Sequence, residues 1–464
     1  MSKLSPRGAT VVVGLGWFLL GLLMNDVGRP YSWDEAVYVS QFSSFAEPLR
    51  WGPQRAPGMA VLVAPVVVVT DSIIVLRLWL LSLASIGSVV AFGAWTSTIG
   101  RRAAIAQALL GGTWLSSFYA VSVFPNLWLA LLAVFGVGIV AGRDLTARPT
   151  LMLLGLTVAV AALFRPLEGA LLLVVVVGIA LTVAGRARVL PVAGAAAVGY
   201  TIGLVPWLVE AFATYGGPLA RLDAASETVG ASVGWRVTQF VWLLDGPMLG
   251  PDRGESVDDV VITWFVLVVV VALGGVFTAA DHRGLVAGLV GAAVVLTAPF
   301  VFYSESLAPR FVLPALALAA VAGSFTVAAL GPRGGGVLMV GVIGVSALQM
   351  LAVDEFVTSF EAIEQRIAEI ADTVEEEAAG RPCVVLSRNW SAQLAFRSGC
   401  ATVQEAIDAD VPANDWSAGF HQAAVAGGAS AFYVFRESDE VPADWPVVAV
   451  DASDGTRWYV AEVA

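Results

Sequence analysis

Two adjacent carboxylates, Asp34 and Glu35, lie in the sequence Tyr-Ser-Trp-Asp-Glu-Ala-Val-Tyr at residues 31–38. A carboxylate can act as a general base, and the flanking aromatic residues suit a membrane surface. The segment therefore predicts a site that works on a substrate arriving through the bilayer, with Tyr38 as a candidate substrate contact. The same residues are also compatible with a structural role, since Asp favours a helix N-cap and an acid suits the first turn.

The composition places these acids in a membrane protein. Of the 464 residues, 58% are hydrophobic and 13% are charged, and the mean hydropathy is +0.81. These values are typical of polytopic α-helical membrane proteins. The net charge of −12 is uneven, because residues 353–464 hold 20 of the 37 acidic residues but only 6 of the 25 basic ones. An acidic, solvated C-terminal domain argues against a nucleic-acid partner.

About 11 apolar runs approach or reach the roughly 17 to 25 residues that a transmembrane helix needs. They lie near 9–25, 72–99, 103–121, 124–142, 149–164, 167–185, 189–212, 259–280, 283–304, 309–330 and 335–352. The run Pro57–Thr70 is too short to cross upright, and it predicts an interfacial or re-entrant helix. The sequence thus predicts a transmembrane domain at 1–352.

Arginine positions predict the orientation of these helices. With the N-terminus in the cytoplasm, most of the connections on that side contain arginine, as the positive-inside rule expects. These arginines are Arg101, Arg102, Arg143, Arg148, Arg186, Arg188, Arg283 and Arg333. The loops 26–71 and 213–258 and the C-terminal domain 353–464 are then extracytoplasmic, in a multi-pass protein of the plasma membrane. Within 213–258, the stretch Trp235–Leu249 is expected to lie on the membrane surface.

The C-terminal domain contains both cysteines, Cys383 and Cys400. A disulfide between them requires an oxidising compartment, which agrees with an external location. The alternative is two buried free thiols in a cytoplasmic domain. An amphipathic helix over Glu355–Glu377 and short β-like runs predict a small α/β domain, in which no catalytic set is recognisable. The β-like runs are Cys383–Leu386, Ala431–Phe435, Val447–Val450 and Trp458–Val463.

The aromatic-flanked Asp34-Glu35 after the first helix resembles the signature of the GT-C superfamily, membrane glycosyltransferases that use polyprenyl-phosphate sugars. Within that superfamily the motifs resemble those of protein O-mannosyltransferases and lipid A aminoarabinose transferases. The order of later motifs also fits: Trp51-Gly-Pro-Gln-Arg-Ala-Pro57-Gly58, Phe164-Arg165-Pro166-Leu167-Glu168-Gly169 and Ala308-Pro309-Arg310-Phe311-Val-Leu-Pro314. The sequence departs from the family at Gln54 and Asn126, where relatives often carry acids.

The resemblance implies an inverting sugar transfer with Asp34 as the general base and Glu35 in a supporting role. Arg55, Arg165 and Arg310 would bind the lipid phosphate, because guanidinium groups bind phosphate oxygens well. Two of them have structural alternatives: Arg165 could pair with Glu168, and Arg310 could anchor a helix end against Glu305.

The implied partners are a polyprenyl-phosphate sugar donor, a lipid, glycan or protein acceptor, and the membrane. The sequence identifies no metal ligands and no definite cofactor, and it leaves open a requirement for a divalent metal, which the departures at Gln54 and Asn126 put in question.

Two other functions are compatible with the sequence. A transporter should carry ionisable residues near helix centres and an internal repeat, whereas the acids here cluster on one predicted face and no inverted repeat is evident. An inactive GT-C relative whose external domain binds a partner is the second alternative, and the same departures motivate it.

Overall fold

The computed structural model describes residues 4–46, 48–49, 51–183, 185–228, 233–235, 259–303, 308–387, 391–401, 429–435, 447–452 and 455–463. Most of the predicted surface stretch Trp235–Leu249, and much of the predicted loop 213–258, lie outside these residues. Glu305 lies outside them too.

The described α-helices are α1 (Pro6–Met24), α2 (Trp33–Ser40), α3 (Gly58–Val67), α4 (Ile73–Gly93), α5 (Thr96–Ile99), α6 (Arg102–Gly111), α7 (Trp114–Ala120), α8 (Asn126–Gly142), α9 (Arg148–Phe164), α10 (Pro166–Val183), α11 (Arg186–Thr214), α12 (Pro218–Thr228), α13 (Asp259–Thr278), α14 (Arg283–Phe302), α15 (Leu313–Ala329), α16 (Gly331–Ala378) and α17 (Ser391–Ser398). Short 3₁₀ helices cover Ala280–His282 and Pro309–Val312.

Helices long and apolar enough to cross a membrane are present, as the composition predicts. Within the described residues six segments meet both criteria: Pro6–Met24, Ile73–Gly93, Pro166–Val183, Ala187–Thr214, Ala280–Phe302 and Pro309–Ala329. Shorter apolar helices of 10–17 residues accompany them, among them Gly58–Val67 in the region predicted to be too short to span. The chain is therefore a multi-pass helical protein, and the count of eleven spans stays a prediction.

The run 103–121, predicted as one span, is instead two helices. Helix α6 ends at Gly111, and α7 begins at Trp114 with Thr113 as its N-cap. The Thr113 hydroxyl accepts a hydrogen bond from the backbone N–H of Ser116, so a threonine in an apolar run starts a new helix here. A hydropathy profile shows this run as continuous, because a capping hydrogen bond does not change the hydropathy of the residues.

Helices α9 and α11 pack at very close range through glycines. A Cβ at Gly199 would lie 1.9 Å from the carbonyl oxygen of Gly155, and one at Gly203 would lie 2.0 Å from that of Ala159. Small residues four apart allow two membrane helices to bring their backbones into contact. This contact fixes α11, whose C-terminal end carries Trp207 and Glu210.

The C-terminal region contains a four-stranded sheet of β1 (Cys383–Ser387), β2 (Ser430–Phe435), β3 (Val447–Asp451) and β4 (Arg457–Val463). The strand order is β1-β2-β4-β3, with β1 and β2 parallel and the other pairs antiparallel. All four strands form where the sequence predicts them. The predicted disulfide Cys383–Cys400 is confirmed.

The predicted helix Glu355–Glu377 is not a separate element. It forms the C-terminal part of α16, a helix of 48 residues that also includes the predicted span 335–352. The helix ends where Ala379 and Gly380 adopt positive φ angles of 51° and 75°. No helix-breaking residue lies between the apolar and the amphipathic parts, so the backbone continues unbroken through both.

The chain divides into two compact units. The helical unit comprises Met1–Val27, Pro53–Met59 and Arg77–Asp354. The C-terminal unit comprises Gly28–Gly52, Ala60–Leu76 and Glu355–Ala464. The predicted external loop 26–71 is therefore divided: its acid-bearing part belongs to the C-terminal unit and its Arg55 segment to the helical unit.

Candidate active site

The two predicted catalytic acids lie in the first turn of α2. Glu35 is 1% exposed, and its Oε2 accepts a hydrogen bond of 2.9 Å from the backbone N–H of Ser32, the N-cap residue. This is the arrangement in which a glutamate at the third helical position satisfies the N-cap backbone. Asp34 is half-buried beside it. Glu35 thus fixes the start of the helix that carries Asp34.

Aromatic contacts hold α2 within the C-terminal unit. Tyr38 is buried and meets the Trp51 ring edge to face, with 5.5 Å between centroids. Tyr31, immediately before the N-cap, meets Phe396 of α17 in the same way at 5.5 Å. The position of Asp34 therefore depends on a helix from the C-terminal domain, a link that sequence reasoning missed.

Two of the predicted phosphate-binding arginines contact one aromatic ring in the helical unit. The guanidinium carbons of Arg165 and Arg310 lie 5.1 Å and 5.3 Å from the centroid of Phe311, which stacks on Phe300. Arg310 is 6% exposed and also lies 4.4 Å from the ring centroid of Phe124. Contacts of this kind contribute roughly 0.5 to 2 kcal/mol each and orient the guanidinium plane.

Arg165 also makes the ion pair that the sequence suggested as its structural role. Its Nη1 lies 2.5 Å from Oε1 of Glu168, and the two side chains are 23% and 8% exposed. The pair spans the junction of α9 and α10 and holds Arg165 at the end of the helix pair. The pair therefore orients the Arg165 guanidinium group.

The third predicted arginine, Arg55, lies on a segment that touches the residues just before Arg165. A Cβ on Gly58 would lie 2.7 Å from the Cα of Phe164, so the two backbones are in direct contact. Arg55 itself is 5% exposed. Three arginine-bearing segments, widely separated in sequence, are therefore linked by contacts in the helical unit.

A fourth arginine, Arg221 of α12, was not predicted as a site residue. Its side chain is fully buried and forms a 3.0 Å ion pair with Glu210 of α11. Burial lowers the pKa of the Arg221 guanidinium from its ordinary value, while the charge of Glu210 acts in the opposite direction. A signal for this pair exists in the sequence, because an acid in an apolar helix predicts a buried cationic partner.

Comparison with solved structures identifies the fold. The chain is similar to ArnT from Cupriavidus metallidurans bound to undecaprenyl phosphate, with a TM-score of 0.65 and 16% identity over 98% of this chain and 97% of that chain. The apo form of that protein gives a TM-score of 0.63 at 16% identity, covering 97% of each chain. The chain has a GT-C fold. The fold predicted from the motif order is thus confirmed.

An archaeal oligosaccharyltransferase has a similar fold. AglB from Archaeoglobus fulgidus, an oligosaccharyltransferase in complex with an inhibitory peptide and a dolichol-phosphate, gives a TM-score of 0.50 at 11% identity, over 97% of this chain and 74% of that chain. The sequence matches no protein-family model and no curated protein.

The two departures from the GT-C pattern lie in the helical unit. Asn126 is 1% exposed at the first position of α8, and Gln54 precedes Arg55. Neither amide can supply the charge that a carboxylate gives a divalent ion. Among the residues that the structure describes, no three His, Cys, Asp or Glu side chains are grouped so that they could hold a metal ion.

Proposed function

We propose that the chain transfers a sugar from a polyprenyl-phosphate-linked donor to an acceptor at the extracytoplasmic face of the membrane. The observation that carries the proposal is the set of three linked segments bearing Arg55, Arg165 and Arg310, within a GT-C fold. The acceptor is a lipid, a glycan or a protein that offers a hydroxyl or an amine. The GT-C fold favours this function over transport.

Charge and burial support phosphate binding by these arginines. Arg55 and Arg310 are 5% and 6% exposed, and burying a guanidinium group in a membrane protein is costly. An anionic ligand would offset part of that cost by forming charge-assisted hydrogen bonds. The lipid phosphates named for the similar ArnT and AglB structures are ligands of this class.

In the proposed reaction Asp34 accepts the proton of the acceptor hydroxyl or amine. The acceptor oxygen or nitrogen forms a bond to the anomeric carbon, and the bond from that carbon to the phosphate oxygen breaks. The electron pair leaves with the lipid phosphate, whose negative charge the arginines stabilise. Attack and departure on opposite faces invert the anomeric configuration.

Glu35 and Tyr38 have supporting roles in this proposal. Glu35 accepts a hydrogen bond from the Ser32 N–H and so fixes the residue at which α2 starts. We infer that this cap positions Asp34 in the first turn. Tyr38 packs on Trp51, so an aromatic surface lies one helical turn after Asp34. We infer that Tyr38 contacts the substrate.

The test is sugar transfer by the purified full chain in liposomes. Labelled mannosyl and arabinosyl phosphates of decaprenol and undecaprenol are supplied with a cell-envelope extract as acceptor, and release of polyprenyl phosphate is measured. We expect Asp34→Asn to lower kcat by at least about 100-fold, since a general base contributes roughly 100- to 10,000-fold. Asp71→Asn, an exposed acid of the same predicted loop, is the matched control and should retain full activity.

Three other outcomes would redirect the proposal. Full activity of Asp34→Asn would remove the base assignment. Absence of release with every donor, despite binding of undecaprenyl phosphate, would favour the binding-module alternative. If a chelator abolished the release of polyprenyl phosphate and Mg²⁺ or Mn²⁺ restored it, the reaction would require a divalent metal.

The predicted side of the membrane is tested by single cysteines at exposed positions. Ser44→Cys lies in the first loop and Thr146→Cys lies between α8 and α9. An impermeant thiol reagent on intact cells should label position 44 and not position 146. The opposite pattern would remove the extracytoplasmic assignment.

A further inference from the structure

Arg221 is a buried cation with no direct part in the proposed transfer. Its side chain is 0% exposed, although it lies in the short helix α12 with the exposed residues Leu219 and Leu222 on either side. Moving a guanidinium group out of water is costly unless its donors are satisfied. The contacts that satisfy it therefore indicate its role.

All three guanidinium nitrogens of Arg221 donate to backbone carbonyl oxygens. Nε donates to Pro53 at 3.1 Å, Nη1 to Trp207 at 2.7 Å and Nη2 to Arg55 at 3.0 Å. Because the guanidinium group is a rigid planar fork, these bonds fix the acceptors relative to one another. Arg221 thereby attaches the segment 53–55 to the end of α11.

Two further contacts keep Arg221 in this position. Its Nη2 lies 3.0 Å from Oε2 of Glu210, and its guanidinium carbon lies 4.6 Å from the Trp207 ring centroid. Trp207 and Ala211 form an apolar cluster with Ala56, the residue after Arg55. The segment is therefore bonded through its carbonyls and packed through its next side chain.

The segment is also fixed at its far end. Gly58 lies so close to the backbone of Phe164 that an added Cβ would lie 2.7 Å from its Cα. Arg55 thus stands between one attachment at Arg221 and another at Gly58. A residue held on both sides has little freedom to move toward or away from a ligand.

We propose that Arg221 is a positioning residue, which holds the backbone of Arg55 so that the Arg55 side chain can bind the phosphate of a lipid-linked donor. This inference rests on the proposed function, because that function gives Arg55 its ligand. Arg221 acts through the backbone of the segment and makes no contact with the substrate itself.

The experiment compares Arg221→Lys with Glu227→Gln in the purified full chain. Lysine keeps the positive charge beside Glu210 but cannot bridge three carbonyls. Glu227 is exposed on the same helix and serves as the matched control. Each variant also carries Gln54→Cys, which is the only reactive thiol because Cys383 and Cys400 form a disulfide.

Two readouts are taken on folded protein: binding of undecaprenyl phosphate, and the rate at which a maleimide modifies position 54. We expect Arg221→Lys to raise the Kd for undecaprenyl phosphate about tenfold and to speed modification about fivefold, with no change in Glu227→Gln. In transfer assays the donor KM should rise while the acceptor KM stays the same. A merely structural role would lower the folded fraction without changing these constants.

The outcomes separate the inference from the proposed function. An unchanged modification rate in Arg221→Lys would overturn the attachment. Faster modification with unchanged lipid binding would overturn the link to Arg55 and leave the proposed function standing. No lipid binding by the wild-type chain would count against the proposed function, while the modification rate would still test the attachment.

If Arg221→Lys does not fold, Glu210→Gln takes its place. This variant keeps the three carbonyl acceptors and removes only the ion pair, so we expect about a threefold rise in Kd and a smaller rise in modification rate. No change in either quantity would overturn the inference.

Discussion

Two neighbouring parts of the first loop are held by different kinds of interaction. The acid-bearing part, 28–52, is held in the C-terminal unit by aromatic contacts such as Tyr31 on Phe396. The arginine-bearing part, 53–59, is held in the helical unit by the buried guanidinium group of Arg221 and by backbone contact at Gly58. The difference implies that the proposed base and the proposed phosphate-binding arginines can be disturbed separately.

Removing the disulfide should destabilise the C-terminal unit more than any of the substitutions that follow. Replacing both Cys383 and Cys400 with Ser should lower the free energy of unfolding of this unit by about 3 kcal/mol, as expected for a short closed loop. Hydrogen exchange of β1 and β2 measures the loss. Binding of undecaprenyl phosphate should stay unchanged, and a parallel loss of binding would contradict the separation of the two supports.

Gly58→Ala tests the support of the arginine-bearing part. The added Cβ would meet the Phe164 backbone at 2.7 Å, which cannot move as a flexible side chain can, so we expect a loss of about 2 kcal/mol. Thermal unfolding measures it. Gly93→Ala is the matched control, since nothing lies within 4 Å of its added Cβ. Equal Tm values for the two variants would show that the Gly58 contact carries no stability.

Phe396→Ala tests the support of the acid-bearing part. Loss of the edge-to-face contact with Tyr31 should cost about 1 kcal/mol and let α2 shift, which lowers kcat while the donor KM stays the same. Phe396→Tyr keeps the ring and should restore kcat, and Arg397→Ala on the same helix should have no effect. A rise in the donor KM with an unchanged kcat would show that Phe396 supports the arginine-bearing part instead of the acid-bearing part.

The smallest change in stability is expected for the ion pair of Asp451 and Arg457. Both side chains are exposed, whereas Arg221 is buried. The hydrogen bonds from Arg457 lower the pKa of Asp451 below its ordinary value. The pair therefore stabilises the fold above the ordinary carboxyl pKa, and this contribution is lost as the pH falls through the lowered pKa. Asp451→Asn should remove that part of the acid dependence in thermal unfolding, and an unchanged pH profile would show that the pair contributes nothing.

Motif order along the sequence points to three arginine-bearing segments together, which no single motif does. The resemblance to GT-C chains points to Arg55, Arg165 and Arg310, and the segments that carry them are linked in the structure. The strands were predicted from short apolar runs, and the cysteine pair from its predicted compartment. Each of these signals is either a short local pattern or the order of motifs along the chain. Both are visible in the amino-acid sequence.

Other features escaped prediction because they depend on contacts far apart in the chain. Arg221 donates to the backbone carbonyls of residues that precede it by 166 and 168 positions. Because every residue type has the same backbone carbonyl, the sequence does not mark these acceptors. The break between α6 and α7 depends on one capping hydroxyl in an apolar run. Neither changes the hydropathy from which spans are predicted.

Hydropathy and charge are properties of residues, so the amino-acid sequence alone predicts a multi-pass helical protein and offers residue types that could act as base and phosphate ligand. Its two cysteines leave a disulfide and two free thiols as alternatives, and the structure contains the disulfide. The division of the first loop, the packing of α2 on α17 and the hydrogen bonds from Arg221 to the Arg55 segment emerge from the folded chain. Those features arise from backbone carbonyls and ring faces brought together by folding, and their energy depends on geometry that no residue type encodes.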